Sequence, residues 1–242
     1  GNLSAVSADS VTVTLVATGT PDLVSASDLG SSSTDNNTND DTPEISLSGL
    51  TTGAVITLTA TPSSGTAVTC TFTATGTTGS CTFPTLVNGT YSVTATQTYN
   101  SVTSSSSTAL TGLVINKTTV ATPSTPDLDS ASDTGSSSTD NLTSDNTPTF
   151  SVPSYAGTAI LIASKAGSTS VSCDISSGSC TLGILSDGVW SVSVTDTDAA
   201  GNTSTSTALS LTVDSTKPVA SVAALSQTNG TGASVSVQSN EV

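Results

Sequence analysis

The strongest constraint on this chain is a 23-residue segment that occurs twice. Residues 21–43 read PDLVSASDLGSSSTDNNTNDDTP, and residues 126–148 read PDLDSASDTGSSSTDNLTSDNTP. The two agree at 18 of 23 positions, at an offset of 105 residues. Looser matches follow at an offset of 99: NGTYSV at 88–93 against DGVWSV at 187–192, and STAL at 107–110 against STAL at 206–209. The repeating unit is thus about 100 residues, long enough for each unit to bury its own core. The 242 residues then hold two whole units and two partial ones. Residues 21–120 form the first unit, opening on an Asp-rich junction at 21–43. Residues 121–214 form the second, with its junction at 126–148. Residues 1–20 read as the final strand of a preceding unit or as a donor strand, and 215–242 as the start of a further unit.

The units read as β throughout. Segments 54–60, 68–72, 91–96, 159–163, 189–194 and 209–213 alternate apolar and polar residues, which is the period of a strand with one buried face. Asn88-Gly89 and Asp187-Gly188 stand just ahead of two of these segments and are strong turn signals. Helix-forming residues are scarce: Lys and Arg total 3 and Met is absent, which argues against helices. Short strands between turns, in units of about 100 residues, define the expected fold class. It is all-β: tandem immunoglobulin-like β-sandwich domains in an extended array. Tyr91 and Trp190 occupy equivalent positions and are expected in the two cores.

The formal net charge is -15. Such a chain repels nucleic acid and anionic membranes and attracts cations. No apolar run is long enough to span a bilayer, so no direct membrane insertion is expected in this segment. The absence of His removes the usual general base and with it a Ser-His triad. The acids are duplicated between repeats rather than gathered in one cleft, so no catalytic site, and no enzyme, is expected.

Both Asp-rich segments keep the same acids in register: Asp22 with Asp127, Asp28 with Asp133, Asp35 with Asp140, Asp40 with Asp145, and also Asn36 with Asn141. A flexible spacer depends on composition alone, whereas agreement position by position points to ordered loops. Like charges held in one loop repel. Calcium, which takes six to eight oxygen ligands, relieves that repulsion. Gly30 and Gly135 supply tight turns that let carbonyls approach an ion. Calcium is therefore the expected cofactor, with these ten residues as ligands. A further cluster, Asp196, Asp198 and Asn202 in DTDAAGN, reads either as another ion site or as an ordinary Asp/Gly/Asn turn. The first unit has QTYN at the matching place.

Cys70 with Cys81, and Cys173 with Cys180, form two close pairs. With no His and no CxxC spacing, zinc is excluded. Two disulfides are expected, each closing a hairpin of neighbouring strands, and hence an oxidising, extracellular compartment. Each is worth about 2.5–3 kcal/mol on chain entropy. That matters for cores with only 3% aromatic residues in the chain.

The segments PDLVSASDLGSSSTDN and PDLDSASDTGSSSTDN, with the later DTDAAGNTS and VDSTKP, resemble the bacterial Ig-like tandem repeats of large surface adhesins and biofilm-associated proteins. The resemblance covers nearly the whole chain. It implies a rod of sandwiches with calcium at the junctions, carried here on the acids named above. It also implies a non-catalytic extracellular spacer or scaffold at the cell surface, whose partners are neighbouring Ig-like repeats or identical subunits. The cysteine pairs depart from that pattern, as does the first unit's lack of DxDAAGN. The alternative is a subunit of an extracellular filament or surface layer. Residues 10–17 would then complete the open C-terminal part of the next subunit by strand complementation.

Overall fold

The computed structural model describes residues 14–219, 221–222 and 237–238. Every regular element among them is a strand. The chain divides into two compact units, one of residues up to Thr122 together with Tyr155–Ala159 and Asp196–Ser204, the other of the remaining residues from Pro123.

The first sandwich contains β1 (Asp22–Leu23), β2 (Asn37–Thr38), β3 (Glu44–Ser48), β4 (Val55–Pro62), β5 (Val68–Thr73), β6 (Thr78–Thr82), β7 (Gly89–Tyr99), β8 (Val102–Thr103) and β9 (Leu110–Ile115). One sheet has the order β1-β3-β6; the other runs β2-β9-β7-β4-β5, with β8 paired to β7. Alternation decides what each strand buries. Ile56, Leu58 and Ala60 of β4 point inward, while Thr57 and Thr59 between them stay half-buried on the outer face. Val93, Leu113, Ile45 and Phe83 close the same core, each contributing about 1.5–3 kcal/mol on full burial. On the outer face the register aligns Thr71, Thr57 and Thr96 in one row and Thr69, Thr59 and Thr94 in the next. These β-branched residues suit a pleated surface and present hydroxyls to water.

The second sandwich repeats the plan with β10 (Asp127–Leu128), β11 (Leu142–Thr143), β12 (Thr149–Ser151), β13 (Thr158–Ser164), β14 (Val171–Asp174), β15 (Ser179–Thr181), β16 (Gly188–Thr197), β17 (Thr203–Thr205) and β18 (Leu209–Val213). Its sheets are β10-β12-β15 and β11-β18-β16-β13-β14, with β17 on β16. Phe150, Leu161, Ile175, Trp190, Val192 and Leu211 form its interior. Of the six segments read as strands from the sequence, five fall within β5, β7, β13, β16 and β18, and 54–60 overlaps β4 from Val55 on.

The first strand of each unit changes sheets. Short β1 pairs antiparallel with β3, and after the Asp-rich segment β2 pairs parallel with β9 in the opposite sheet. The same exchange takes the chain from β10, on β12, to β11, on β18. The acidic stretch is thus the crossing between two sheets, which is why it lacks a strand or helix period.

The cysteines pair as expected, and none is free, but they do not close hairpins. Cys70 lies opposite Leu58 in the larger sheet and Cys81 opposite Ile45 in the smaller one. Cys173 lies opposite Leu161, and Cys180 opposite Phe150. The Cα atoms are 6.3 and 6.1 Å apart. Each bridge joins the two sheets because the short link after β5 or β14 carries the chain over the sandwich edge, to pair with β3 or β12.

Residues 10–13 of the expected donor strand lie outside the described residues, and residues 14–17 carry no strand. Of the expected third unit, residues 215–219 are described and carry no strand, and beyond them the described part is a two-residue antiparallel pair, β19 (Ser221–Val222) with β20 (Val237–Gln238); the rest lies outside.

Candidate functional site

The crossing from β1 to β2 is fastened by short polar side chains. Backbone N–H groups of Ser27 and Asp28 both donate to the Val24 carbonyl, at 2.7 and 3.1 Å. Fully buried Thr38 donates its hydroxyl to the Ser27 carbonyl at 2.6 Å and accepts the Asp40 N–H at 3.0 Å. Ser27 Oγ accepts the Glu44 N–H at 3.1 Å. The second copy repeats each bond. Thr143 bridges the Ser132 carbonyl and the Asp145 N–H, and Ser132 Oγ accepts the Thr149 N–H at 3.0 Å. Gly30 and Gly135 sit at φ 123° and 121°, where a Cβ is disfavoured. Asn36 and Asn141 are both at φ 60°, a left-handed conformation that Asn tolerates. These two asparagines therefore hold a backbone bend.

The expected ligands take distinct posts. Asp35 Oδ1 accepts the Asn37 N–H, Asp140 Oδ1 that of Leu142, Asp40 Oδ1 that of Thr42, and Asp145 Oδ1 that of Thr147. All four cap turns two residues ahead, the usual local bond of an aspartate in a loop. Asp22 and Asp127 stand exposed on β1 and β10. Among the described residues no three acidic, histidine or cysteine side chains converge closely enough to hold a metal ion by themselves.

Asp28 and Asp133 differ from the rest, because they are buried, with 4% and 5% exposure. The Oδ2 of each accepts the N–H of Asn36 or Asn141, at 3.1 and 3.3 Å. Each keeps Oδ1 buried with no partner, and Asn37 Oδ1 is also unpartnered. Burial pushes the Asp28 carboxyl above the ordinary aspartate range; the Asn36 N–H pulls it back, and the charges of Asp35 and Asp22 push it up again. A buried carboxylate oxygen with nothing to bind costs about 1–3 kcal/mol. Orphaned oxygens of this kind are the donor chemistry of a hard cation, with backbone carbonyls and water completing the set.

The DTDAAGN cluster splits in two. Both Asp196 oxygens accept backbone N–H groups, from Ala156 at 2.6 Å and Gly157 at 2.8 Å. Asp198 Oδ1 accepts the N–H groups of Ala200 and Asn202, and its Oδ2 accepts from Asn202 Nδ2 at 2.9 Å. This part is an Asp-Gly-Asn turn. Sequence reasoning passed over Ser27, Thr38, Ser132 and Thr143, since in a Ser/Thr-rich chain only their identity in both copies could have singled them out.

Two packed sheets of this strand order, with a first strand that changes sheets, define an immunoglobulin-like or fibronectin-like sandwich, present twice. The family model described as bacterial Ig-like domain matches residues 4–116 and again 119–215. The chain belongs to the bacterial Ig-like domain family. Among solved structures, the chicken CNTN1 FN1-FN3 domains share the fold at a TM-score of 0.52 and 10% identity, covering 82% of this chain and 68% of that one. The tetra-tandem repeat in the extending region of a large adhesion protein aligns at 21% identity and a TM-score of 0.29, covering 83% and 50%. A 1.5-MDa bacterial ice-binding adhesin aligns at 17% and 0.37, covering 81% and 64%. No curated protein matches the chain.

Proposed function

We propose that this chain is a non-catalytic extracellular spacer region of a cell-surface adhesin, and that calcium stiffens the joints between its sandwiches. Membership of the bacterial Ig-like family supports the spacer part. One observation carries the calcium part: Asp28 Oδ1 and Asp133 Oδ1, at matching places in the two copies, are both left buried and unpartnered. Asp28 and Asp133 would supply the anchoring oxygens, with Asn37 Oδ1 in the first copy. Asp22, Asp35 and Asp40, and Asp127, Asp140 and Asp145, would add charge and outer oxygens. The two inter-sheet disulfides fit an oxidising exterior.

Calorimetry with calcium and with chelator tests the reading. Calcium at a hundredfold excess over its Kd should stabilise each occupied site by about 2.7 kcal/mol, and chelation should shorten the particle in solution scattering. Identical melting curves in both conditions end the calcium mechanism. The filament reading rests on residues 10–17 and 219–242, mostly outside the described residues, so the spacer reading is the conclusion.

A further inference from the structure

We propose that Asn88 is a site of spontaneous covalent modification, cyclising onto Gly89 and hydrolysing to aspartate or isoaspartate. Among the described residues Asn88 is the one asparagine followed by glycine. Both residues are exposed, so no side chain shields the attack. Asn88 Oδ1 accepts the Lys117 N–H at 2.9 Å, which draws electron density from Cγ. Its amide nitrogen, the leaving group, has no partner among the described residues. Asn202, by contrast, has its Nδ2 held on Asp198.

The step balances with water alone. The Gly89 backbone nitrogen loses its proton to solvent and bonds to Asn88 Cγ. The Cγ–Nδ2 bond breaks, and the nitrogen leaves as ammonia after taking a proton. Water then opens the cyclic imide at either carbonyl. Opening at one gives aspartate; opening at the other gives isoaspartate, with an extra carbon in the main chain.

The second copy indicates how each product is received. Asp187 stands at the matching place before Gly188, and its Oδ1 accepts the Ser215 N–H at 2.9 Å and the Ser215 hydroxyl at 2.6 Å. Its Oδ2 accepts the Thr216 hydroxyl at 2.6 Å. A carboxylate at this turn therefore holds the chain leaving the last strand, and aspartate at 88 keeps the bond to Lys117. Isoaspartate displaces the carboxylate and frees the chain beyond β9. The modification thus ages the exit of the first sandwich but not that of the second.

The full chain, held folded at mildly alkaline pH and body temperature, is digested under acidic conditions and mapped by mass spectrometry. Asn88 should show the amide-to-acid mass gain before Asn36, Asn116, Asn141 or Asn202. The product should split into aspartate and isoaspartate forms, and ammonia should be released in equal amount. Asn88→Gln should abolish this early signal. An unchanged Asn88, or earlier conversion at another described asparagine, overturns the proposal.

Discussion

Gly157 lies directly against Asp196: its N–H donates to Asp196 Oδ1 at 2.8 Å, and a Cβ placed on it would stand 3.1 Å from that oxygen and overlap the Thr197 carbonyl. Ala156 donates to the other oxygen, so a fully buried carboxylate ties the loop before β13 to the end of β16. In the first sandwich Gln97 holds the same post. Its Oε1 accepts the Thr51 N–H at 2.8 Å and its Nε2 donates to the Gly49 carbonyl at 3.4 Å. An acid and an amide serve one purpose because each has acceptors for the loop's N–H groups and both are buried. The acid at 196 is thus explained by loop closure.

Asp196→Ala leaves the N–H groups of Ala156 and Gly157 without their acceptor. Losing charge-assisted bonds of this kind costs about 3 kcal/mol, read as a lower midpoint in urea unfolding at unchanged slope. Gly157→Ala should also destabilise, through the steric overlap. Neither variant should alter the response to calcium, because the Asp196 oxygens are already engaged.

Calcium dependence should reside in Asp28 and Asp133. The double variant Asp28→Asn with Asp133→Asn keeps an oxygen for the N–H groups of Asn36 and Asn141 but removes both buried charges. Without calcium it should be within about 1 kcal/mol of the parent, since a costly charge and its partial solvation are lost together. With calcium its melting temperature should not rise. A full rise in the double variant would place the ion elsewhere.

The disulfides should act independently. Replacing Cys70 and Cys81 by Ser, or Cys173 and Cys180, should cost about 2.5–3 kcal/mol by denaturant titration, the larger value belonging to the longer loop. Intact mass without reductant should fall four hydrogens short of the reduced mass. Because each bridge spans two sheets, its loss should also raise amide exchange in β5 and β6, or in β14 and β15.

The fold was legible where one side-chain period persists. Residues 54–60 and 189–194 alternate cleanly because one face is core, and their strands run on past the readable part where turns take over. The two-residue strands β1, β2, β10 and β11 are too short to carry a period, and β3 begins on Glu44, whose side chain serves the outer face. The inter-sheet course of the disulfides depends on which strand lies beside β3, a long-range fact that no local pattern encodes. In the Asp-rich segments the repeat marked the region as ordered. It could not separate Asp28 and Asp133, which are buried, from Asp35 and Asp140, which cap exposed turns, because all four have the same side chain.

Acid should loosen the exit of the second sandwich in a window that one residue sets. Hydrogen bonds from the Ser215 hydroxyl, the Thr216 hydroxyl and the Ser215 N–H hold the Asp187 carboxyl at about 2, below its ordinary value of 3.8. The folded state thus prefers the ionised form. The contribution is complete above the unfolded value near pH 4 and is lost as pH falls through about 2. Asp187→Asn keeps one acceptor for Ser215 but none for the Thr216 hydroxyl. The stability gap between parent and variant should therefore be constant at neutral pH, narrow below the ordinary aspartate pKa, and close near pH 2. Thermal melts of both proteins across that range measure it. A gap that persists below pH 2 would mean that Asp187 stabilises the turn without its charge.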